Sequence, residues 1–271
     1  MAIITISRGT FSGGKALGEC LGKQLGYPVL SREDVLAEAA RTYGISEEEV
    51  NSALGDPPPF WQQVPGKRLA YLQCLTAVLL QKAEKGNLVY HGNAGHFLLG
   101  SVSHVLRVRV IAGMEFRIRA AREQLKCGRE EAIDYIEKVD KKRRKWARLL
   151  YGVEWDEPSL YDVVLNLDRM SIDSACLAVA RMVELGDFQV TPASHKAQED
   201  LLLGSAVWIA LAKDERTKTA FVNVVADGGK VTVKGNAGSG KIVEAISVVA
   251  RGVQGVREVS SEVGVGSDWY W

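Results

Sequence analysis

The segment Ile3-Ile-Thr-Ile6, the turn Gly9-Thr-Phe-Ser-Gly-Gly14-Lys15 and the helical pattern after it constrain this chain more than any other stretch. An apolar run without polar alternation suits the interior of a parallel sheet. Gly9, Gly13 and Gly14 let backbone N–H groups converge, and Leu17, Cys20, Leu21 and Leu25 follow the spacing of a buried helical stripe. A helix starting at such a turn points its positive end at whatever the turn holds, so the combination predicts an anion-cradling loop. The spacing GxxxxGK recurs at Gly235-Asn-Ala-Gly-Ser-Gly240-Lys241. Neither copy is followed by the hydroxyl residue that ordinarily reaches Mg²⁺; Ala16 and Ile242 stand there instead.

The context separates the copies. Strand-like runs at Ile3–Ser7, Pro28–Leu30, Leu88–His91, Val105–Ile111 and Asp162–Leu167 alternate with helical patterns at Gly14–Leu25, Lys67–Lys85 and Glu115–Lys126. Such alternation predicts βαβ crossovers and an α/β domain over residues 1–187, a parallel sheet of about five strands covered by helices. The stretch Gly55–Gly66 carries four prolines and predicts a long loop of the kind that faces substrate. Residues 188–195 change in composition and are expected to form a linker. Residues 196–271 predict a small α+β module: a helix at Ala197–Ala212, strands at Thr219–Val225 and Lys230–Lys234 joined through Asp227-Gly-Gly229, a helix at Gly240–Gly252 and a strand at Val256–Val265. The second GxxxxGK lies there, expected beside antiparallel strands only, and is taken as a turn. The tail Trp269-Tyr270-Trp271 is expected to pack on something.

Composition narrows the classes. With 46% hydrophobic residues, 25% charged residues and a net charge of +1, nothing global favours nucleic acid or an acidic surface. Cys20, Cys74, Cys127 and Cys176 form no CxxC pair and no cluster with histidine, which predicts reduced thiols, a cytoplasmic setting and no protein-built metal site. No apolar run approaches the length of a membrane span.

On this reading Gly9, Thr10, Phe11, Ser12, Gly13, Gly14, Lys15 and Ala16 form the nucleotide-binding loop, with Lys15 reaching the terminal phosphates. The basic stretch Lys138–Arg148 is either a solvated helix face or a lid. Arg32, after the second strand, and Arg68, after the proline-rich stretch, stand either where an acceptor phosphate could dock or as surface arginines. Arg107 and Arg109 alternate with apolar residues and are read as structural pairs at a sheet edge.

Taken together, Ile4-Thr-Ile-Ser-Arg8, Ser12-Gly-Gly-Lys15, Leu88-Val-Tyr-His-Gly-Asn-Ala-Gly-His96, Val139-Asp-Lys-Lys-Arg-Arg144 and Tyr161-Asp162 resemble the cytidylate kinase-like family of P-loop nucleoside monophosphate kinases. The resemblance implies the sheet order 2-3-1-4-5 and phosphoryl transfer from ATP, with Mg²⁺, to a nucleoside monophosphate or similar small acceptor. It implies catalytic roles for Lys15, Arg143 and Arg144, with Asp140 orienting an arginine or the metal shell, and acceptor contacts from Arg32, Arg68 and Asn93. Residues 196–265 resemble a BON domain through Val231-Thr-Val-Lys-Gly235, Ala245-Ile246 and Gly252-Val-Gln-Gly-Val256, a module associated, often in bacteria, with phospholipid surfaces or protein partners. The chain departs from the kinase pattern at Ala16 and at Asn93-Ala94, where a cytidylate kinase has Arg-Asp. The resemblance therefore does not carry CMP over as acceptor. It leaves three expectations open: an active kinase, a nucleotide-binding regulator with weak or no catalysis, or a membrane-surface or assembly adaptor in which the BON module dominates; self-association is open too, and no nucleic-acid partner is expected.

Overall fold

A computed structural model describes residues 2–45, 65–84, 86–92 and 95–266, the side chains of 65–69 and 150 excepted. Most of the proline-rich stretch, Asn93-Ala94 and the aromatic tail lie outside the described residues. The chain begins with β1 (Ile3–Arg8), α1 (Gly14–Leu25), β2 (Val29–Ser31), α2 (Arg32–Tyr43), α3 (Pro65–Lys82), β3 (Leu88–His91) and one helical turn, α4 (Gly95–Leu98). It continues with β4 (Val105–Ile111), α5 (Met114–Leu125), α6 (Arg129–Tyr151), β5 (Val163–Asn166) and α7 (Ile172–Met182). These strands pair in parallel as β2-β3-β1-β4-β5, the order that the family resemblance implies.

The central strand β1 is buried from Ile3 to Ser7, as its unbroken apolar character requires. One face of the sheet packs Ile3, Leu88 and Val105 against α2 and α3. The other packs Ile4, Ile6 and Val108 against α1 and α7. Between α1 and α7, the Cys176 thiol donates to Gln24 Oε1 at 3.2 Å, and Cys20 and Cys176 are both free.

The remaining elements are α8 (Pro192–Lys213), β6 (Phe221–Asp227), β7 (Lys230–Ala237), α9 (Gly240–Arg251) and β8 (Glu258–Val265). Two details differ from the sequence reading. Helix α8 begins at Pro192, inside the expected linker, because Thr191 and Ser194 form a reciprocal capping box around a proline already set for the first helical turn. The second sheet, ordered β6-β7-β8, is mixed: β7 is antiparallel to β6 and parallel to β8, with α9 as the crossover. No helix among the described residues is long and apolar enough to cross a membrane.

Helix α8 is buried on two sides. Val207 and Leu211 face the second sheet, while Ile209 joins the core around α3. Polar contacts fix this seam. Gln198 sits between His104 Nε2 (3.1 Å) and the carbonyl of Ala83 (3.0 Å), and Ser205 donates to Gln73 Oε1 at 2.8 Å.

The second GxxxxGK begins inside β7. Gly235 and Asn236 pair with both β6 and β8 and Ala237 pairs with β8, so this part of the motif serves the ladder rather than an anion. Gly235 holds φ at +142°, and a Cβ there would sit 2.0 Å from the carbonyl oxygen of Phe221. The glycine is demanded by strand packing. Gly235→Ala is expected to destabilise the second module by about 2–3 kcal/mol, the cost of strained backbone plus displaced neighbours. A thermal melt of the full chain unchanged by the substitution would contradict that role.

Candidate anion and phosphoryl-transfer site

The first GxxxxGK sits at the C-terminal end of β1, where open α/β sheets bind ligands. Gly13 precedes α1 at φ 91°, no side chain caps the helix, and its first turn has no carboxylate. The early amides of α1 thus lack a competing acceptor, which is the electrostatic requirement for an anion. Lys15 is exposed, and among the described residues its ion pair is with exposed Glu19 at 3.8 Å, a weak contact that leaves it available to a ligand. Ala16 is exposed beside it.

The loop is held from below and from the side. Ser12 Oγ donates to the carbonyls of Gly9 (2.9 Å) and Val110 (3.1 Å), tying the turn to β4. Phe11, with φ at 59°, packs on the small core between α5 and α6 that includes Ile118, Ala132 and Ile136. Thr10 gives both its N–H (3.1 Å) and its hydroxyl (2.6 Å) to one oxygen of Asp140, on α6. Arg117, on α5, bonds the other Asp140 oxygen and gives Nε to the Thr10 carbonyl at 2.7 Å. Asp140 is therefore committed to the loop and to an arginine.

Arg143, one turn along α6, donates to the carbonyl of Arg8 at 3.0 Å and lies 3.6 Å from Asp140. Burial pulls its pKa down to about 10, and Asp140 partly compensates. Arg144 is more exposed and approaches Asp156 at 3.6 Å. Arg32 opens α2, next to the C-terminal end of β2. Arg68 lies in the first turn of α3 with its side chain outside the described residues, as is all of Asn93.

Two participants were missed from sequence. Arg8 ends β1 directly before the loop; its aliphatic stem lies where a Cβ on Gly14 would be, and its buried Nε has no partner. A charged residue closing a buried strand was the available signal. Arg117 carried no local signal, since its role depends on how α5 and α6 pack. Arg107 and Arg109 do not lie at a sheet edge, because β4 runs between β1 and β5. Their pairing is structural. Arg107 chelates Asp162, and buried Arg109 reaches Asp156 at 2.5 Å while stacking 3.9 Å from the Trp155 ring. Trp155 in turn donates to Ser7 Oγ at 3.0 Å.

These residues fit a polyphosphate: a helix start without a cap, a free lysine and buried guanidinium nitrogens lacking acceptors. For Mg²⁺, the described residues offer no cluster of three ligating side chains. An Mg²⁺ ion arriving with a nucleotide would be held largely by phosphate oxygens and water.

Next to the site, His96 packs its ring 3.8 Å from Phe97 and 4.8 Å from Tyr161, with Nε2 unpartnered. Burial, then Arg109 and Arg107, push its pKa from 6.5 down to about 3. The folded protein keeps this ring neutral where the unfolded chain protonates it. Stability from this group is intact above pH 6.5 and falls as the pH drops from 6.5 toward 3. His96→Gln is expected to flatten the acid slope of unfolding free energy in that window, by at most about 1.4 kcal/mol per pH unit. A slope identical to the parent's in chemical denaturation between pH 6 and pH 4 would contradict the assignment.

Comparison with known proteins agrees with this architecture. Residues 3–169 match the family model described as the cytidylate kinase-like family, and residues 200–267 match the BON domain model. A cytidylate kinase of Thermoplasma acidophilum is 25% identical over 183 residues, spanning 67% of this chain and 92% of that protein. A cytidylate kinase of Ignicoccus hospitalis is 24% identical over 186 residues, 68% of this chain and 99% of that protein. In fold, the chain is similar to the crystal structure of an uncharacterized protein from Eubacterium ventriosum, with a TM-score of 0.51, 15% identity, and coverage of 68% of this chain and 99% of that one. With a phosphate-type loop on a 2-3-1-4-5 sheet and a family match across residues 3–169, the chain belongs to the cytidylate kinase-like family and carries a C-terminal BON domain.

Proposed function

We propose that residues 1–187 transfer a phosphoryl group from ATP to a nucleoside monophosphate or a similar small acceptor, and that residues 196–271 form the binding module coupled to this activity. The observation that carries the reading is the convergence of the uncapped α1 N-terminus, Lys15 and the lid-side Arg143 at one end of β1. Phosphoryl transfer asks a protein for positioning and charge neutralisation more than for covalent chemistry. The amides of Gly14, Lys15 and Ala16 hold donor phosphate oxygens in this scheme. Lys15 neutralises the terminal phosphate, and Arg143 and Arg144 cover the phosphoryl group as its bond to the leaving oxygen breaks and its bond to the acceptor oxygen forms. Asp140 keeps Thr10, Arg117 and Arg143 in register. ATP, when bound, supplies the phosphoryl group, with Mg²⁺ carried on its phosphates. Arg32 and Arg68 serve the acceptor side, where Asn93 is also assigned.

For the BON module we favour a protein partner over an anionic lipid surface. On the sheet face opposite α8 and α9, Lys230 pairs with Glu258 and Lys234 with Glu262, each at 2.9 Å, so the basic groups are matched by acids. A face balanced in this way gives little attraction to a negative surface.

A coupled assay for ADP formation, run with each common nucleoside monophosphate as acceptor, tests the catalytic claim. Turnover is expected with at least one acceptor, and Lys15→Ala is expected to lower it by about a hundredfold or more, the effect of removing a transition-state charge contact. No ADP above background with any acceptor would sink the kinase reading and leave the nucleotide-binding regulator, which the departures at Ala16 and Asn93-Ala94 support.

A further inference from the structure

Helix α6 carries Arg143 and Arg144, and the turn that follows it ties its C-terminal end to the sheet. The helix stops at Gly152, whose φ of 65° suits a glycine, and the chain turns back through Trp155 and Asp156. Trp155 is 2% exposed, although it lies between a helix end and the edge strand β5. Contacts to the central strands account for that depth. The indole N–H donates to Ser7 Oγ on β1 at 3.0 Å, and the Tyr161 hydroxyl donates to the Trp155 carbonyl at 2.8 Å. Arg109, on β4, lays its guanidinium 3.9 Å from the centre of the Trp155 ring and bonds Asp156 Oδ1 at 2.5 Å.

The same two residues meet the arginines of α6. Arg144 stands 3.6 Å from Asp156 Oδ2, the oxygen that Arg109 leaves open. Asp156 is thus shared between a buried arginine of the sheet and a half-exposed arginine of the helix, one oxygen for each. The guanidinium carbon of Arg143 stands 5.7 Å from the Trp155 ring, within the range over which a cation is drawn to an aromatic face. Arginine loses much rotamer freedom on being fixed, and one exposed ion pair is worth too little to hold it. The anchor below changes that balance. Arg109 is 5% exposed, and its charge is costly to bury unless Asp156 stays beside it. The carboxylate is therefore kept in place by more than its contact with Arg144.

We propose that Asp156 and Trp155, fixed to the sheet by Arg109, are positioning residues for Arg144 and Arg143. They hold both guanidinium groups before a ligand arrives, so that little reorganisation remains when negative charge shifts from donor to acceptor. The task of these arginines rests on the phosphoryl-transfer reading. That the turn holds them does not, and it is measured without ligand.

The first measurement is phenylglyoxal labelling of the ligand-free full chain, followed at each arginine by mass spectrometry. Asp156→Asn keeps the shape and removes the charge, and Arg109→Met removes the anchor on β4. Both are expected to speed labelling of Arg144 by about threefold or more, the opening that loss of an ion pair allows. Arg109→Met is expected to speed Arg143 as well, although residue 109 lies outside α6. Arg181, paired with Glu184 on α7, is the reference and keeps its parental rate. Asp156→Glu, with the charge retained, brings Arg144 back toward the parental rate. Asp156 is half exposed, so the asparagine protein carries the test if the Arg109 variant does not fold. An unchanged rate at Arg144 in Asp156→Asn would overturn the proposal. So would an equal rise at Arg181, the mark of general unfolding.

A double-mutant cycle on turnover in the coupled assay is the second measurement. Asp156→Asn is expected to lower kcat about tenfold, between the worth of an exposed ion pair and that of a direct transition-state contact. The KM for ATP is expected to change by less than about twofold, since ground-state binding is left intact. In an Arg144→Gln background the same substitution has little further effect, because it acts through Arg144. Losses that simply add would overturn the positioning role. Faster Arg144 labelling in Asp156→Asn, with no ADP formed by the parent protein, would remove the kinase reading and leave the positioning claim standing.

Discussion

The carboxylate of Asp140 is the contact on which the site depends. It is 7% exposed, and it accepts from the amide and hydroxyl of Thr10 while Arg117 closes on its other oxygen and Arg143 stands at 3.6 Å. A charge buried to this extent is tolerable only when its lone pairs are filled, and here they are filled by the loop itself. Together with Phe11's packing and Arg143's bond to the Arg8 carbonyl, this interaction joins β1 and its loop to α5 and α6. It also decides which arginines are spoken for. Arg117 is consumed by the knot, whereas Arg8 and Arg143 keep nitrogen atoms without acceptors.

From that knot the electrostatics of the site follow. Phe11 and Ser12 pin the turn to α5, α6 and β4, so the amides at the start of α1 face outward with no cap to satisfy them. The arginines then divide by position: Arg143 and Arg144 on α6, Arg8 and Arg32 at strand ends. The BON domain is joined to the same body through α8, whose Gln198 and Ser205 bond residues at the α3 side of the sheet.

What was legible in the sequence was local. The five strands of the first sheet, the loop and helices α1, α3 and α5 follow from apolar runs, glycines and helical spacing, which act over a few residues. The same locality exposed the second GxxxxGK as a turn-and-strand feature, though its parallel neighbour β8 was not foreseen, because the crossover through α9 hides the direction of pairing. The start of α8 was missed because a Thr-Pro pair reads as linker until its capping box is seen. The site was only partly legible. Lys15, Asp140 and Arg143 stood out as motif pieces, but the union of Thr10 with Asp140 spans 130 residues and depends on helix packing. Arg8 was readable in principle, as a charge closing a buried strand. Arg117 was not, since nothing within its own helix marks it.

The central claim is that the first GxxxxGK and the arginines beside it form the anion site of this chain. A crystal structure of the full protein grown with a bisubstrate analogue, two nucleosides joined through a chain of phosphates, tests it most directly. The account predicts phosphate density against the amides of residues 13–16 and Lys15, continuing toward Arg143, Arg8 and Arg32. Phosphate density at Gly235–Lys241, or a ligand whose phosphates leave the guanidinium groups of Arg8 and Arg143 untouched, would contradict it.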